Sequence, residues 1–599
     1  MDPQELLAPM VATVVRVEVR PGDLVRAGQP VVVLESMKME HLVRAPAAGV
    51  VANVTVVAGE TVRPDQPLLT LGPAEVADAY EVERTAPGAL RPDLAEVTRR
   101  HEVGLDANRP DAVRRRRERG QRTARENLAD LCDPGTFVEY GPLVVAAQRQ
   151  RRGLDDLIAR TPADGLVTGI AQVNGTPCVV MSYDATVLAG TQGAYNHAKK
   201  DRMFTLAARR RLPVVLFAEG GGGRPGDTDL PTVAGLDVPS FHLFARLSGL
   251  VPLVGVASGR CFAGNAALLG CCDVVIATED ATIGMGGPAM IEGGGLGVYQ
   301  PEEVGPLSVQ VPNGVVDLAV ADEAEAVRVA RRYLSYFHGV ADEWTCADQR
   351  ALRAAVPENR VRAYDVRAVI ATLADTDSVL ELRPAFGVGI VTALVRVAGR
   401  PLGLIANNPL HLGGAIDTDA ADKAARFLQL CDAHGLPVVS LCDTPGFMVG
   451  PDAERTATVR HFSRMFVVGA NLSVPLCAVV LRKAYGLGVM AMAGGSLKVP
   501  LATVSWPTGE LGGMGLEGAV KLGFAKELAA IADPDQRQST VDDMIRMAYE
   551  HGKALNAASM FELDDVIDPA TTRDWITTAL AAVPPGPTSG KRRPHVDTW

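Results

Sequence analysis

The chain has 599 residues, room for roughly three or four domains, and 47% of them are hydrophobic, enough for several buried cores. Aromatic residues are only 5% while glycine reaches 60 residues, a balance that suits closely packed α/β layers better than a β-sandwich. A net charge of −11 excludes general affinity for nucleic acid, and nine cysteines without a CxxC pair read as reduced cytoplasmic thiols with neither disulfide framework nor metal site.

In chain order, residues 8–72 are an internal duplication. Ala8-Pro9 recurs as Ala45-Pro46, Gly22 as Gly59, Val25 as Val62 and Gln29-Pro30 as Gln66-Pro67. Both arms alternate as strands do, as in Thr13-Val-Val-Arg-Val-Glu-Val-Arg20. Two matching β arms predict a small flattened barrel with a pseudo-twofold axis. Glu35-Ser-Met-Lys-Met-Glu40 falls between the arms, where a hairpin tip presents Lys38 to solvent. This stretch resembles the attachment motif of biotinyl domains, which makes Lys38 the residue expected to carry covalent biotin. A lipoyl domain normally shows Asp-Lys-Ala at the same tip.

After Gly72 the pattern dissolves into an acidic, small-residue stretch up to Gly88 that reads as a tether. Residues 91–131 read as helical and basic, with arginines clustered over Val113–Glu126 as a candidate seat for the phosphates of coenzyme A.

From about residue 135 to 580 a second duplication appears. Gly165-Leu-Val-Thr168 recurs as Gly389-Ile-Val-Thr392, Lys199 as Lys423 and Leu212-Pro-Val-Val215 as Leu436-Pro-Val-Val439. At the same spacing Gly222 maps onto Gly446 and Gly264 onto Gly488. Each copy predicts strands, a helix (198–211; 421–434), a buried strand (212–217; 436–442) and a glycine loop (220–223; 445–446). Such alternation means a mostly parallel sheet, with the ligand at the carboxyl ends of its strands. The uncharged run Met465–Leu481 is too short to span a bilayer and contains Asn471 and Pro475, and the N-terminus lacks a basic-then-apolar signal.

No GxSxG, P-loop or GxGxxG motif is present, and the histidines are not spaced as metal ligands. What remains is two small-residue turns, Cys261-Phe-Ala-Gly-Asn265 and Tyr485-Gly-Leu-Gly-Val489, each preceding a predicted helix. Backbone N–H groups at such turns can hold an anionic oxygen.

Residues 91–575 resemble the carboxyltransferase subunits of biotin-dependent acyl-CoA carboxylases. The resemblance rests on Arg122-Thr-Ala-Arg-Glu126, Leu404-Ile-Ala-Asn-Asn-Pro409, Asp443-Thr-Pro-Gly-Phe-Met-Val-Gly450, Arg482-Lys-Ala-Tyr-Gly486, Trp506-Pro507 and Met514-Gly-Leu-Glu-Gly-Ala519, among other stretches. It implies two tandem crotonase-like α/β halves behind the all-β biotinyl domain. The expected division is 1–75 biotinyl, 76–90 linker, 91–350 and 351–585 the two halves, and 586–599 a tail.

The resemblance also implies transfer of carboxylate from carboxybiotin on Lys38 to the α-carbon, or the vinylogous carbon, of an acyl-CoA, with biotin itself taking the proton. Carried over by position, the oxyanion pairs fall on Ala263/Gly264 and Leu487/Gly488, here assigned to the thioester and to biotin respectively. Gly221, Gly222, Gly223, Gly446 and Phe447 fall on the loops lining the two half-sites, and a position that helps select acyl groups falls on Met490. No stretch resembles an ATP-grasp biotin carboxylase. The implied partners are a separate biotin carboxylase subunit using ATP and bicarbonate, a biotin protein ligase, and further copies of the chain, with no membrane partner. The alternatives are an ATP-independent transcarboxylase or decarboxylase subunit, and a non-enzymatic biotin carrier.

Overall fold

The computed structural model describes residues 3–74, 80, 88, 90–229, 235–583 and 595–599. The chain divides into two units, Met1–Glu96 and Val97–Trp599. Apart from residues 80, 88 and 90, the stretch expected as a linker at 76–90 lies outside the described residues.

The first unit contains β1 (Gln4–Leu7), β2 (Ala12–Val17), β3 (Leu24–Val25), β4 (Pro30–Ser36), β5 (Met39–Arg44), β6 (Gly49–Val54), β7 (Thr61–Val62) and β8 (Pro67–Pro73). They form two four-stranded sheets, ordered β1-β8-β6-β3 and β5-β4-β2-β7. The duplication sets this architecture directly, because β2, β3 and β4 recur as β6, β7 and β8 with matching bounds. Even the hydrogen bonds repeat. Gly22 N–H donates to the Val51 carbonyl at 2.8 Å, and Gly59 N–H donates to the Val14 carbonyl at 2.7 Å. Both glycines hold positive φ, at 95° and 88°, which a side chain would strain. Val25, Val32, Leu34, Val62 and Leu69 fill the space between the sheets.

The second unit holds two sheets of the same design. The first orders its strands 318–320, 274–278, 253–257, 214–217, 176–183, 166–173 and 138–139. The second orders 380–382, 390–397, 400–407, 438–444, 476–485, 502–505 and 565–566. In each, an antiparallel hairpin (166–183; 390–407) leads into parallel strands. The long helices Ala194–Arg210 and Thr418–His434 provide the crossovers. These are two crotonase-like halves, and they share a core in which Val254, Ile276 and Tyr333 pack in one cluster with Ile405, Leu428 and Met465.

Register corrects one detail of the repeat. Val214 pairs with Leu253 in the first sheet, and its counterpart Val438 pairs with Leu476 in the second. The spacing between copies is therefore 224 at the first strand (214 to 438) and 223 at the next (253 to 476). By structure, Ala263 corresponds to Gly486, Gly264 to Leu487 and Asn265 to Gly488. The left-handed residue marks this slip, falling on Ala263 (φ 51°) in one half and Gly486 (φ 56°) in the other.

Of the expected tail at 586–599, residues 586–594 lie outside the described residues. Residues 595–599 are docked on the second unit. Val596 exchanges hydrogen bonds with the Ser248 hydroxyl at 2.8 and 3.1 Å. Asp597 N–H donates to Gln429 Oε1 at 3.1 Å, and its carboxylate pairs with Arg464 at 2.5 Å. The last residues thus bind side chains of both halves.

Candidate active site

Lys38 sits with Met37 in a two-residue loop closing the hairpin of β4 and β5, where Ser36 faces Met39. Both loop residues take positive φ, 53° and 65°, as a type I′ turn requires. Such turns favour Asn-Gly, so Met37-Lys38 is held there by the flanking ladder rather than by its own preference. Met37 is 96% exposed and Lys38 is exposed beside it. An amine on a bare tip suits amide formation with the carboxylate of biotin.

In the first half, strand 214–217 delivers the chain to Glu219 and the run Gly220–Gly223. Glu219 is part-buried; loss of solvent raises its carboxyl above the usual range, while Arg116 at 2.8 Å pulls the other way. The glycine run is stitched on both sides. Gln192 N–H donates to the Gly222 carbonyl at 2.7 Å, Arg224 N–H donates to the Gln192 carbonyl at 3.0 Å, and Phe262 N–H donates to the Gly220 carbonyl at 2.9 Å. Gly222 N–H donates to Asn265 Oδ1 at 3.1 Å. A Cβ on Gly222 would lie 2.5 Å from the Ala263 methyl, so the structure brings Gly222, Ala263 and Gly264 together. Gly221 faces Thr191, and Gly223 is open on its Cα side.

Ala263 does not offer a free donor. Its N–H donates to the Gly284 carbonyl at 3.0 Å, a cross-link between neighbouring turns that nothing local in the chain reveals. Gly264 opens helix Gly264–Gly270, where a first-turn N–H has no intrahelical acceptor. Of the expected pair, Gly264 is the available member.

In the second half, Leu487 and Gly488 lie in the first turn of helix Gly486–Met492, so both amides point out of the helix. A Cβ on Gly488 would come within 2.7 Å of the Gly446 Cα, so helix and loop touch backbone to backbone. Gly446 N–H is turned onto Thr444 Oγ1 at 3.1 Å. Ile416 bridges this loop at Phe447 as Gln192 bridges the other at Gly223. Phe447 stacks on Phe462 with centroids 4.2 Å apart. Just before the turn, buried Asp443 clamps two strands through Arg482 at 3.1 Å and Lys483 at 2.6 Å.

The arginine cluster is largely committed to the protein's own acids. Arg116 pairs with Glu219, Arg117 with Glu126, Arg122 with Asp130 and Arg125 with Glu139. Arg116 and Arg125 tie the leading helices to the first half, while Arg114, Arg115, Arg117 and Arg119 stay exposed. Asn265 was missed as a site residue, because its role depends on a loop far away in the chain. Among the described residues, no group of three or more His, Cys, Asp or Glu could hold a metal, and no helix is long and apolar enough to cross a membrane.

Comparison with known proteins gives two domain matches, carboxyl transferase domain over residues 115–592 and biotin-requiring enzyme over residues 4–71. The methylmalonyl-CoA carboxyltransferase 12S subunit of Propionibacterium freudenreichii subsp. shermanii is 33% identical over 500 residues, covering 81% of this chain and 93% of that one. A solved single-chain, multi-domain long-chain acyl-CoA carboxylase is 60% identical with a TM-score of 0.78. That match covers 96% of this chain, which spans 56% of the length of that protein. A solved transcarboxylase 12S hexamer, with methylmalonyl-CoA and methylmalonic acid bound, is 29% identical with a TM-score of 0.73, covering 85% of this chain and all of that one.

Proposed function

The chain belongs to the carboxyl transferase domain family, with a biotin-requiring domain in front, and we propose that it is the carboxyltransferase half of an acyl-CoA carboxylase. It is an enzyme acting on acyl-CoA with biotin carried covalently. The residue proposed to carry biotin is Lys38, and biotin supplies the activated carboxylate there. A separate biotin carboxylase loads it with ATP and bicarbonate, and a biotin protein ligase attaches it. The seven fully buried free thiols fit the reducing cytoplasm.

The observation that carries this reading is the doubled arrangement of a glycine loop packed on a helix start, in a chain that also presents a lysine on a bare tip. The α-proton of a thioester is weakly acidic, so the enolate oxygen needs donors already in place. Gly264, beside Ala263 and Gly221–Gly223, is proposed to receive the thioester oxygen. Leu487 and Gly488, backed by Gly446 and Phe447, are proposed to receive the ureido oxygen. Loss of one such donor typically costs about 3 kcal/mol of transition-state stabilisation. The first half of one copy faces the second half of another, so the working enzyme is a homo-oligomer.

The test is an avidin blot of wild type and Lys38→Arg, then a panel of acyl-CoAs with a biotin carboxylase, ATP and bicarbonate. Wild type should blot and carboxylate, and Lys38→Arg should lose both completely. A wild type that stays unbiotinylated in a competent host overturns the reading. The 33% identity to a methylmalonyl-CoA carboxyltransferase favours a second reading, transcarboxylation. Turnover with a carboxylated acyl-CoA donor and no ATP would establish it.

A further inference from the structure

At the first half's turn the Gln192 side chain keeps hydrogen-bonding capacity that the fold does not use. Its backbone is fixed on both sides: the N–H donates to the Gly222 carbonyl at 2.7 Å, and the carbonyl accepts from Arg224 N–H at 3.0 Å. The side chain runs over Gly264, where a Cβ would lie 2.9 Å from Gln192 Oε1 and 3.2 Å from its Cδ. The Phe241 ring, 3.2 Å from the same point, closes the other side. Gln192 is 3% exposed, and its Nε2 has no partner among the described residues. A buried amide nitrogen in that state is unfavourable unless something else comes to accept from it.

Tyr183 decides which end of the amide faces the turn. Its hydroxyl is buried and also has no partner among the described residues. Burial raises it well above its ordinary value, with the Gln192 amide among the groups opposing, so it stays protonated and can donate. A glutamine amide turns end for end within the same space. With Oε1 accepting from the Tyr183 hydroxyl, Nε2 points at the Gly264 turn as a donor.

An oxygen that gains charge during reaction is held best by more than one donor already in place. Of Ala263 and Gly264, only Gly264 keeps its N–H free, because Ala263 N–H donates to the Gly284 carbonyl at 3.0 Å. In the second half the residue bridging the glycine loop in the same way is Ile416, whose side chain is hydrocarbon.

We propose that the Gln192 side-chain amide is a catalytic donor to the thioester oxygen, joining Gly264 N–H in the place that Ala263 leaves short. Tyr183 acts through it as a positioning residue. The proposal rests on the carboxyltransferase reading above.

The test reads the thioester carbonyl without turnover. Propionyl-CoA carrying carbon-13 at that carbonyl is bound at saturation to the full-length biotinylated protein, and isotope-edited infrared difference spectra locate its stretch. Gln192→Leu should move the band to higher wavenumber than in wild type, as a carbonyl that has lost a donor does. It should also lower kcat about tenfold, the effect of one neutral hydrogen bond, with the KM for acyl-CoA little changed because the bond tightens as charge develops. Tyr183→Phe frees the amide to turn away and should move the band in the same direction by a smaller amount. A band that stays at the wild-type position in the folded variants overturns the proposal, whatever their rates. A protein whose band moves but which never carboxylates refutes the function while leaving the Gln192 assignment in place.

Discussion

The two halves share one plan and fill it differently. In the first, a row one helical face apart is polar: Gln192, Asn196 and Lys200, all buried, each with a side-chain atom that has no partner among the described residues. The corresponding row in the second half is Ile416, Ala420 and Ala424, also buried and wholly apolar. The same contrast holds at the turns. In the first half, Asn265 reaches across to Gly222 and spaces the loop from the helix. In the second, its counterpart Gly488 has no side chain, and Gly446 closes onto it directly. One half is a polar, side-chain-spaced cradle and the other a dry, backbone-to-backbone one. A duplicated fold can thus carry two differently built turns without changing its topology.

The sharpest way to break this comparison is to add one methyl group at each turn. Gly488→Ala drives a Cβ into the Gly446 backbone, which cannot move aside without shifting the loop. It should lower kcat by about 10²- to 10³-fold, as expected for a displaced oxyanion donor. Gly264→Ala meets first the end of the Gln192 side chain at 2.9 Å, which can rotate away. It should cost about tenfold or less, because the Gly264 N–H itself stays in place. Equal losses in steady-state kinetics would erase the distinction.

A smaller effect is expected from Asn265→Ala. It strands the Gly222 N–H without its acceptor and should destabilise the protein by about 1–3 kcal/mol in denaturant unfolding. The counterpart change, Gly488→Asn, should not reproduce the first half's spacing, since its Cβ has no room.

A last effect is spread over pH. Burial lowers Lys200 to about 7, with Asp201 and Asp164 opposing, and lowers Lys423 to about 7, with Glu381 opposing. A lysine whose folded pKa lies below its unfolded value of 10.5 binds its proton more tightly when unfolded. Stability should therefore rise with pH between about 7 and 10.5, by up to ~1.4 kcal/mol per pH unit for each lysine. Lys200→Met and Lys423→Met should each remove one share of that slope in unfolding curves taken across this range. A slope unchanged in both variants would mean that these amines are already neutralised by other means.

Much of the architecture was legible because duplication leaves identities in the chain. The spacing of 37 placed the carrier strands, with β2, β3 and β4 recurring as β6, β7 and β8. The larger repeat placed the helices and the loops of glycines in both halves. The strand starts were read two residues early, at 212 and 436 instead of Val214 and Val438. In both cases Leu-Pro precedes, and a proline cannot donate to the ladder. The slip from 224 to 223 escaped notice because Gly264 and Gly488 happen to match at the older spacing. Partners distant in the chain were also invisible. Arg116 finds Glu219, Ala263 finds Gly284, and Ser248 finds Val596 only once the sheets have assembled. Within a run of arginines that reads as one charged surface, Arg116 and Arg125 instead tie the leading segment to Glu219 and Glu139.

The tip that bears Lys38 has a mechanical consequence. Its two left-handed residues are clamped between paired strands, and the hydrogen-bonded ladder leaves no slack below them. The hairpin therefore acts as a stiff pointer: any error in how the carrier is placed reaches the lysine undiminished. Freedom of movement beyond the tip comes from the rotatable bonds of the lysine side chain.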